Sequence, residues 1–292
     1  MARSHKPHPT RPSREPASQT SRQPTPKPAR EATPPPPREP AWTVPSPLPA
    51  PLTPPESFLA RAKELGLEFD EGDLSRLGLY LALLLDANNA FNLTAIRDPA
   101  EAWTRHILDS LTLIPVLAEL PENSRVIDVG SGGGLPGIPL AITMPSRRFT
   151  LLEATGKKAA FLNDLRAPLA LSNTEVLNQR AESAAHLHKA DGHREKYAAA
   201  VARAVGPLAV IAELTCGFVE VGGIVALIKG EKADQEIEEG AKALSLLGLS
   251  HAGTIPTPTG RIVVLNKEKT TPRTYPRADG EPKRVPLGVK RS

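Results

Sequence analysis

The chain has 292 residues, a net charge of +4, 40% hydrophobic residues, 32 prolines and a single cysteine, Cys216. One cysteine excludes an internal disulfide framework and a cysteine metal cluster, and it fits a reducing compartment; no metal site is expected. No apolar run nears the ~18 residues that span a bilayer and none has the apolar core of a secretory leader, so the expectation is a cytoplasmic protein without a membrane partner.

The charge is uneven. Residues 1–40 carry 8 Lys/Arg and 3 Asp/Glu, residues 267–292 also 8 and 3, and the stretch between them 20 and 26. Basic ends attract phosphate; for the first arm, plain solubility is the alternative. Residues 1–55 hold 18 of the prolines. That composition cannot bury a core and predicts a disordered, polyproline-prone basic arm. The Arg-rich start leaves an organellar transit peptide open, although the prolines oppose the amphipathic helix such peptides form.

Order is expected from near Ser57. A short helix covers 57–65. A longer one covers 73–89, with Leu74, Leu77, Leu81, Leu84 and Leu85 on one face. A polar turn follows, including Asn92, Leu93 and Thr94. Pro99 opens a third helix, whose spacing sets His106 beside Ser110 and Arg105 beside Asp109. That pattern reads either as a functional cluster or as a salt-bridged amphipathic helix. Residues 56–124 thus form an N-terminal helical cap.

From Arg125 short apolar strands alternate with helices. Strands are predicted at 125–129, 149–153, 175–178, 198–202, 223–228, 249–255 and 261–265. Helices are predicted at 136–144, 157–171, 207–218 and 233–247, with Cys216 a small buried residue of the third. Alternation implies a parallel sheet with right-handed crossovers. The last two strands lack a helix between them and should be antiparallel. The expected fold is therefore α/β: a Rossmann-like, seven-stranded, mostly parallel sheet over 125–267, of the class I S-adenosylmethionine (SAM) methyltransferase plan. A basic tail, 268–292, follows.

The stretch Val126-Ile-Asp-Val-Gly-Ser-Gly-Gly-Gly-Leu-Pro-Gly137 joins the first strand to its helix, with Pro136 expected at the first helical position. Strand, glycine turn and helix make the ligand crevice of a doubly wound sheet. Gly132, Gly134 and Gly137 satisfy the dinucleotide pattern, with Glu153 where a ribose-binding acid belongs. Asp128 ahead of the glycines favours SAM instead: an acid there can meet the positive methionine end but would repel a pyrophosphate. A tight turn without a ligand is the plain alternative.

Ligands bind at the carboxyl ends of such strands, which here carry Asp128, Glu153, Ala181-Glu182, Arg203 and Lys229. Glu153 can accept from two ribose hydroxyls, or cap the next helix. Glu182 can orient an adenine, or serve as a helix N-terminal acid. After the fourth strand stands Ala202-Arg203-Ala204-Val205, not the Asp/Asn-Pro-Pro-aromatic motif of exocyclic-amine methyltransferases. Cys216, mid-helix, is misplaced for covalent attack on a pyrimidine. An acceptor with an exposed lone pair, such as guanine N7, needs neither device.

The segments Asn92-Leu93-Thr94, Arg105-His106-Ile-Leu-Asp109-Ser110-Leu111, Asp128 to Pro139, Lys157-Lys158-x-x-Phe161-Leu162, Arg180-Ala181-Glu182, Ala202-Arg203-Ala204-Val205, Ile228-Lys229-Gly230 and Tyr275-Pro276-Arg277-x-x-Gly280-x-Pro282 together resemble the RsmG (GidB) family of ribosomal RNA small-subunit methyltransferases. The resemblance covers about residues 57–287. It departs at Gly133, where some members carry Pro, and at a longer, polar His186–Lys196. It implies SAM as methyl donor and 7-methylguanosine formation at guanine 527 of 16S rRNA in the small ribosomal subunit; a monomer is the separate expectation for the chain. It implies that Gly130 and Leu135 contact SAM, that Glu153, Ala154 and Thr155 lie beside ribose and adenine, and that Ala181 and Glu182 flank the adenine. Arg203 would close the pocket at the methyl end. Asn92, Arg105, His106, Ser110, Lys229, Arg273 and Arg277 would face RNA, with Asn92, His106 and Arg203 as positioning candidates and no residue assigned to bond chemistry. The rival readings are a non-catalytic rRNA-binding assembly factor that retains the fold, and an NAD-binding oxidoreductase.

Overall fold

A computed structural model describes residues 1–2, 42–186, 192–203 and 206–288. The chain divides into two units, 1–39 and 40–292; Met1 and Ala2 are the described residues of the first, and all that follows concerns the second. The expected disorder of residues 3–41 and the centre of the polar stretch, 187–191, lie outside the described residues.

One sheet carries β1 (Arg125–Val129), β2 (Arg148–Leu152), β3 (Thr174–Leu177), β4 (Tyr197–Arg203), β5 (Val219–Lys229), β6 (Leu249–Thr257) and β7 (Gly260–Lys267). Their order is β3-β2-β1-β4-β5-β7-β6. The first five run parallel; β7 runs antiparallel to both β5 and β6. This is the expected plan of seven strands ending in an antiparallel hairpin. β5 starts four residues earlier than its apolar run suggests. Its register against β4 shifts between Tyr197↔Val219 and Ala199↔Ile224, around Gly222 at φ +89°, a bulge that only the paired strand reveals.

The helices are α1 (Glu56–Glu64), α2 (Asp73–Ala90), α3 (99–111), α4 (Ile114–Ala118), α5 (Gly137–Thr143), α6 (Gly156–Leu165), α7 (Ala181–His186), α8 (Leu208–Cys216), α9 (Ala233–Leu247) and α10 (Glu281–Arg284). The middle of α3, Trp103–Leu108, is a π-helical stretch, which α-helical spacing does not anticipate.

Alternation along the strands feeds two cores. On one side Val126, Leu151, Val201 and Ile262 pack with α5, α6 and the cap residues Phe58, Tyr80, Leu81, Leu84, Trp103 and Ile107. On the other, Ile127, Ala200, Leu227 and Val263 pack with Ile211, Leu244 and Leu247. The cap therefore shares the sheet's core instead of closing one of its own.

The N-terminal boundary of order differs from expectation. Order was expected only from Ser57, yet Trp42 donates from Nε1 to Asp86 Oδ2 at 2.7 Å, sets its ring edge-on to Phe161, and Leu52 N donates to Gly78 O. Extended proline-rich chain can lie against a fold because proline has no N–H to leave unpaired. The tail is likewise fastened. Arg194, 7% exposed, donates to the carbonyls of Ala185, Tyr275 and Thr271.

Candidate cofactor and acceptor site

The glycine turn leaves β1 at Val129 and enters α5 at Gly137. Most of its amides are used internally. Gly130 N and Ser131 N donate to Leu152 O, and Gly134 N and Leu135 N donate to Ser131 O. Gly132 N donates to Glu153 Oε2, and Gly137 N to Asp128 Oδ2, both at 3.0 Å. A pyrophosphate would need those donors, so the dinucleotide reading of the motif lacks its physical basis here. A Cβ at Gly137 would stand 2.4 Å from Leu151 Cδ2 and 2.7 Å from Asp128 Oδ2; glycine is required there for close packing. Pro136 is the N-cap of α5, one position earlier than expected.

Asp128 is fully buried, so it does not reach a ligand as expected. It lies under the turn and caps α5, while its Oδ1 has no hydrogen-bond partner among the described residues. Burial pushes its carboxyl up to about 7, against the Gly137 amide, the Ser131 hydroxyl and Arg203. Tyr80 supports the turn from α2, its hydroxyl donating to Gly133 O at 2.9 Å. Periodicity reads Tyr80 only as core; a lone phenol in a leucine-rich helix is the one signal it leaves.

Glu153 accepts from Thr155 N at 2.7 Å through its other oxygen. It thus tethers both the turn and the approach to α6, and it still lines a cavity of about 440 Å³. Gly130, Ala154, Ala181 and Glu182 line the same space, with Val210 and Leu214 as an apolar wall and Gly280 and Lys283 supplied by the tail. Glu182 Oε1 accepts from Gly280 N at 2.8 Å. Five of the expected cofactor residues therefore converge. Leu135 is buried at 7% exposure, Thr155 is the N-cap of α6, and Arg203 belongs to the adjoining space.

That second cavity, of about 470 Å³, is lined by Ile96, Arg105, His106, Asp109, Arg203, Lys229, Glu236 and Thr259, among others. Gly206 lines both cavities. Arg203 Nη1 donates to Arg105 O at 2.7 Å and lies 3.4 Å from His106 Nδ1 and 3.8 Å from Asp109 Oδ2. His106 Nε2 meets Thr94 Oγ1 at 2.8 Å. Burial, helped by Arg203, lowers His106 to about 4, so the imidazole is neutral at physiological pH. Burial raises Asp109 to about 6, opposed by Arg203 and Arg105, and Thr259 Oγ1 donates to its Oδ1. Lys229 donates to Gly206 O at 2.6 Å and pairs with Glu236 at 2.7 Å.

The RNA-facing set divides. Arg105, His106 and Lys229 line the second cavity; Asn92 and Arg273 are exposed. Ser110 is fully buried and donates to His106 O at 2.6 Å, so it presents nothing to a partner. Arg277 is clamped by buried Glu213 through Nε at 2.8 Å and Nη2 at 2.6 Å, a structural pair instead of a free cation. Asn88, which the sequence places only in the polar turn and gives no role, accepts from Leu93 N and Thr94 N and shapes the loop that holds His106.

A family profile described as rRNA small subunit methyltransferase G (GidB) matches residues 73–257. Proteins named ribosomal RNA small subunit methyltransferase G from Sorangium cellulosum and Leuconostoc citreum are 46% and 38% identical to the chain over 233 and 238 residues. Each match covers 80% of this chain, and 96% and 98% of those proteins respectively. A solved structure of a putative SAM-dependent methyltransferase from Methanococcus maripaludis is 13% identical at a TM-score of 0.45, covering 58% of this chain and 90% of that one. By the profile match and the two relatives, the chain belongs to the rRNA small subunit methyltransferase G family.

Proposed function

We propose that this enzyme methylates N7 of guanine 527 in the 16S rRNA of the small ribosomal subunit, with SAM as methyl donor, acting as a cytoplasmic monomer. The observation that carries this reading is the meeting of two cavities at Gly206, at the carboxyl ends of the parallel strands. One is walled by small and apolar residues and two carboxylates, which suits an adenosine bearing ribose hydroxyls and a nearby cation. The other is lined by Arg105, Arg203 and Lys229, which suits a nucleotide.

In this reading Gly130, Glu153, Ala154, Ala181 and Glu182 hold the cofactor directly, while Asp128, Leu135 and Thr155 shape the turn and helix start that contain it. When bound, SAM supplies an electrophilic methyl group. The protein aligns the acceptor with it. The N7 lone pair is already exposed, so no group needs to remove a proton, which agrees with a His106 whose basicity burial, helped by Arg203, lowers to about 4. Arg203, His106 and the Asn92 loop position the base; Arg105, Lys229 and Arg273 meet phosphates. The catalytic contribution is proximity and orientation.

The test is radiolabelled methyl transfer from SAM to small subunits lacking the modification, with the product mapped by cleavage at 7-methylguanosine. Label at one guanine, abolished by Arg203→Ala, is expected. Tight SAM binding without label would replace this reading with that of a non-catalytic assembly factor.

A further inference from the structure

The second cavity holds two carboxylates, and they differ in what they have left to offer. Glu236 Oε2 already accepts from Leu208 N at 2.7 Å and pairs with Lys229. Asp109 is held on one side only: Thr259 Oγ1 donates to Oδ1. Its Oδ2 has no hydrogen bond among the described residues; the nearest cation is Arg203 Nη1 at 3.8 Å, beyond hydrogen-bond distance. Asp109 and Thr259 lie on α3 and the β6–β7 turn, elements that take no part in the cofactor cavity.

A guanine whose N7 faces the methyl donor turns its opposite, Watson–Crick edge away from it. That edge presents O6 as an acceptor beside N1–H and the 2-amino group as donors. Arg203 beside Asp109 offers the complementary order, a donor followed by an acceptor. Adenine presents the reverse order and would leave both groups unsatisfied. Enzymes that act on an extruded base read it through this edge.

Resting on the functional reading above, we propose that Asp109 is the residue that selects guanine. Oδ2 accepts from N1–H, and Oδ1, with a lone pair beyond the one Thr259 uses, accepts from the 2-amino group. The contact also favours the chemistry. The N7 lone pair forms the new N–C bond as the donor's methyl–sulfur bond breaks, the electron pair of that bond staying on sulfur, and no proton leaves. Positive charge then develops on the purine and makes N1–H and the amino group stronger donors. The carboxylate is therefore bound more tightly in the transition state than in the ground state, which is the condition for accelerating the step. Arg203 and Arg105 oppose the burial of this carboxylate, keeping it largely ionised, and so an acceptor, near neutral pH.

The experiment compares small subunits whose 16S rRNA carries guanine or inosine, which lacks only the 2-amino group, at the target position. Wild-type enzyme should methylate the inosine substrate roughly 10-fold more slowly or worse, the scale of one lost base-edge contact. Asp109→Ala, which removes both acceptor oxygens, should lose a similar factor or more on guanine, keep its SAM affinity, and show no further inosine penalty. A residue that only shaped the cavity would leave that penalty intact in the variant. Equal wild-type rates on the two substrates would overturn the assignment even if the variant failed to fold, as would an undiminished inosine penalty in Asp109→Ala. Absence of transfer by wild type to the guanine substrate would overturn the functional reading and this assignment together.

Discussion

Asp128 Oδ2 accepts the amide hydrogen of Gly137 at 3.0 Å, tying the end of β1 to the first residue of α5 beneath the glycine turn. The carboxyl is fully buried and titrates near 7 in the folded chain, against an ordinary value of 3.8. Between those values the folded state binds more protons than the unfolded one, so this group's contribution to stability falls as pH rises through that window. The ceiling is on the order of 4 kcal/mol. Asp128→Asn should therefore gain stability relative to wild type between about pH 5 and about pH 8, read from urea midpoints. Parallel profiles would refute the linkage.

Gly137→Ala tests the same joint by sterics. The added methyl would meet Leu151 and Asp128 at under 3 Å. Overpacking of a tight core costs about 1–3 kcal/mol, and the turn must shift to relieve it. A lowered thermal midpoint together with weaker SAM binding by titration calorimetry is expected.

Arg203→Lys separates the two cavities. Lysine keeps the charge but cannot reach Arg105 O and His106 Nδ1 together, as the guanidinium fork does. Arg203 lines only the second cavity. Methyl transfer should fall roughly 10- to 100-fold, the scale of a charged hydrogen bond, while SAM affinity stays close to wild type. A matching loss of SAM affinity would place Arg203 in the cofactor site instead.

Arg277→Ala should release the tail. It strands Glu213, which is fully buried, and removing one partner of such a pair costs about 3–5 kcal/mol. Gly280 and Lys283 wall the cofactor cavity, so SAM binding should weaken as well. Limited trypsin digestion should then cut at Arg273 and Arg284 faster than in wild type.

Deleting residues 1–41 and deleting residues 1–55 should have different effects. The shorter deletion removes the basic arm, and its expected consequence is weaker RNA binding at low salt with saturated methylation unchanged. The longer one also removes Trp42 and Leu52, with their contacts to Asp86, Phe161 and Gly78, and should lower the thermal midpoint. Loss of saturated turnover in the shorter deletion would show that the arm does more than attract phosphate.

Local chemistry carried the sequence reading. Strand and helix alternation, the glycine turn at 130–137 and the closing hairpin are legible because period, β-branching and glycine content act within a few residues. The cavity residues Gly130, Glu153, Ala181 and Glu182 are legible for the same reason, as each follows a strand end. The bulge at Gly222 and the π-helical turn in α3 are not, because each depends on the neighbour against which it packs. Ser110 stands among the RNA-facing residues only through the family resemblance, and its burial is a matter of tertiary packing.

What only the tertiary structure decided are pairings between residues distant in sequence. Tyr80 reaches Gly133 over 53 positions, and Arg277 reaches Glu213 over 64. The same holds for Asp128, which looks like a ligand contact in the sequence and becomes a buried cap once α5 folds over it. A side chain's type determines which bonds it can make, and burial determines which of them it must make. A polar group withdrawn from water has to find its partner inside the fold, and where that partner stands is set by packing, not by the order of residues along the chain.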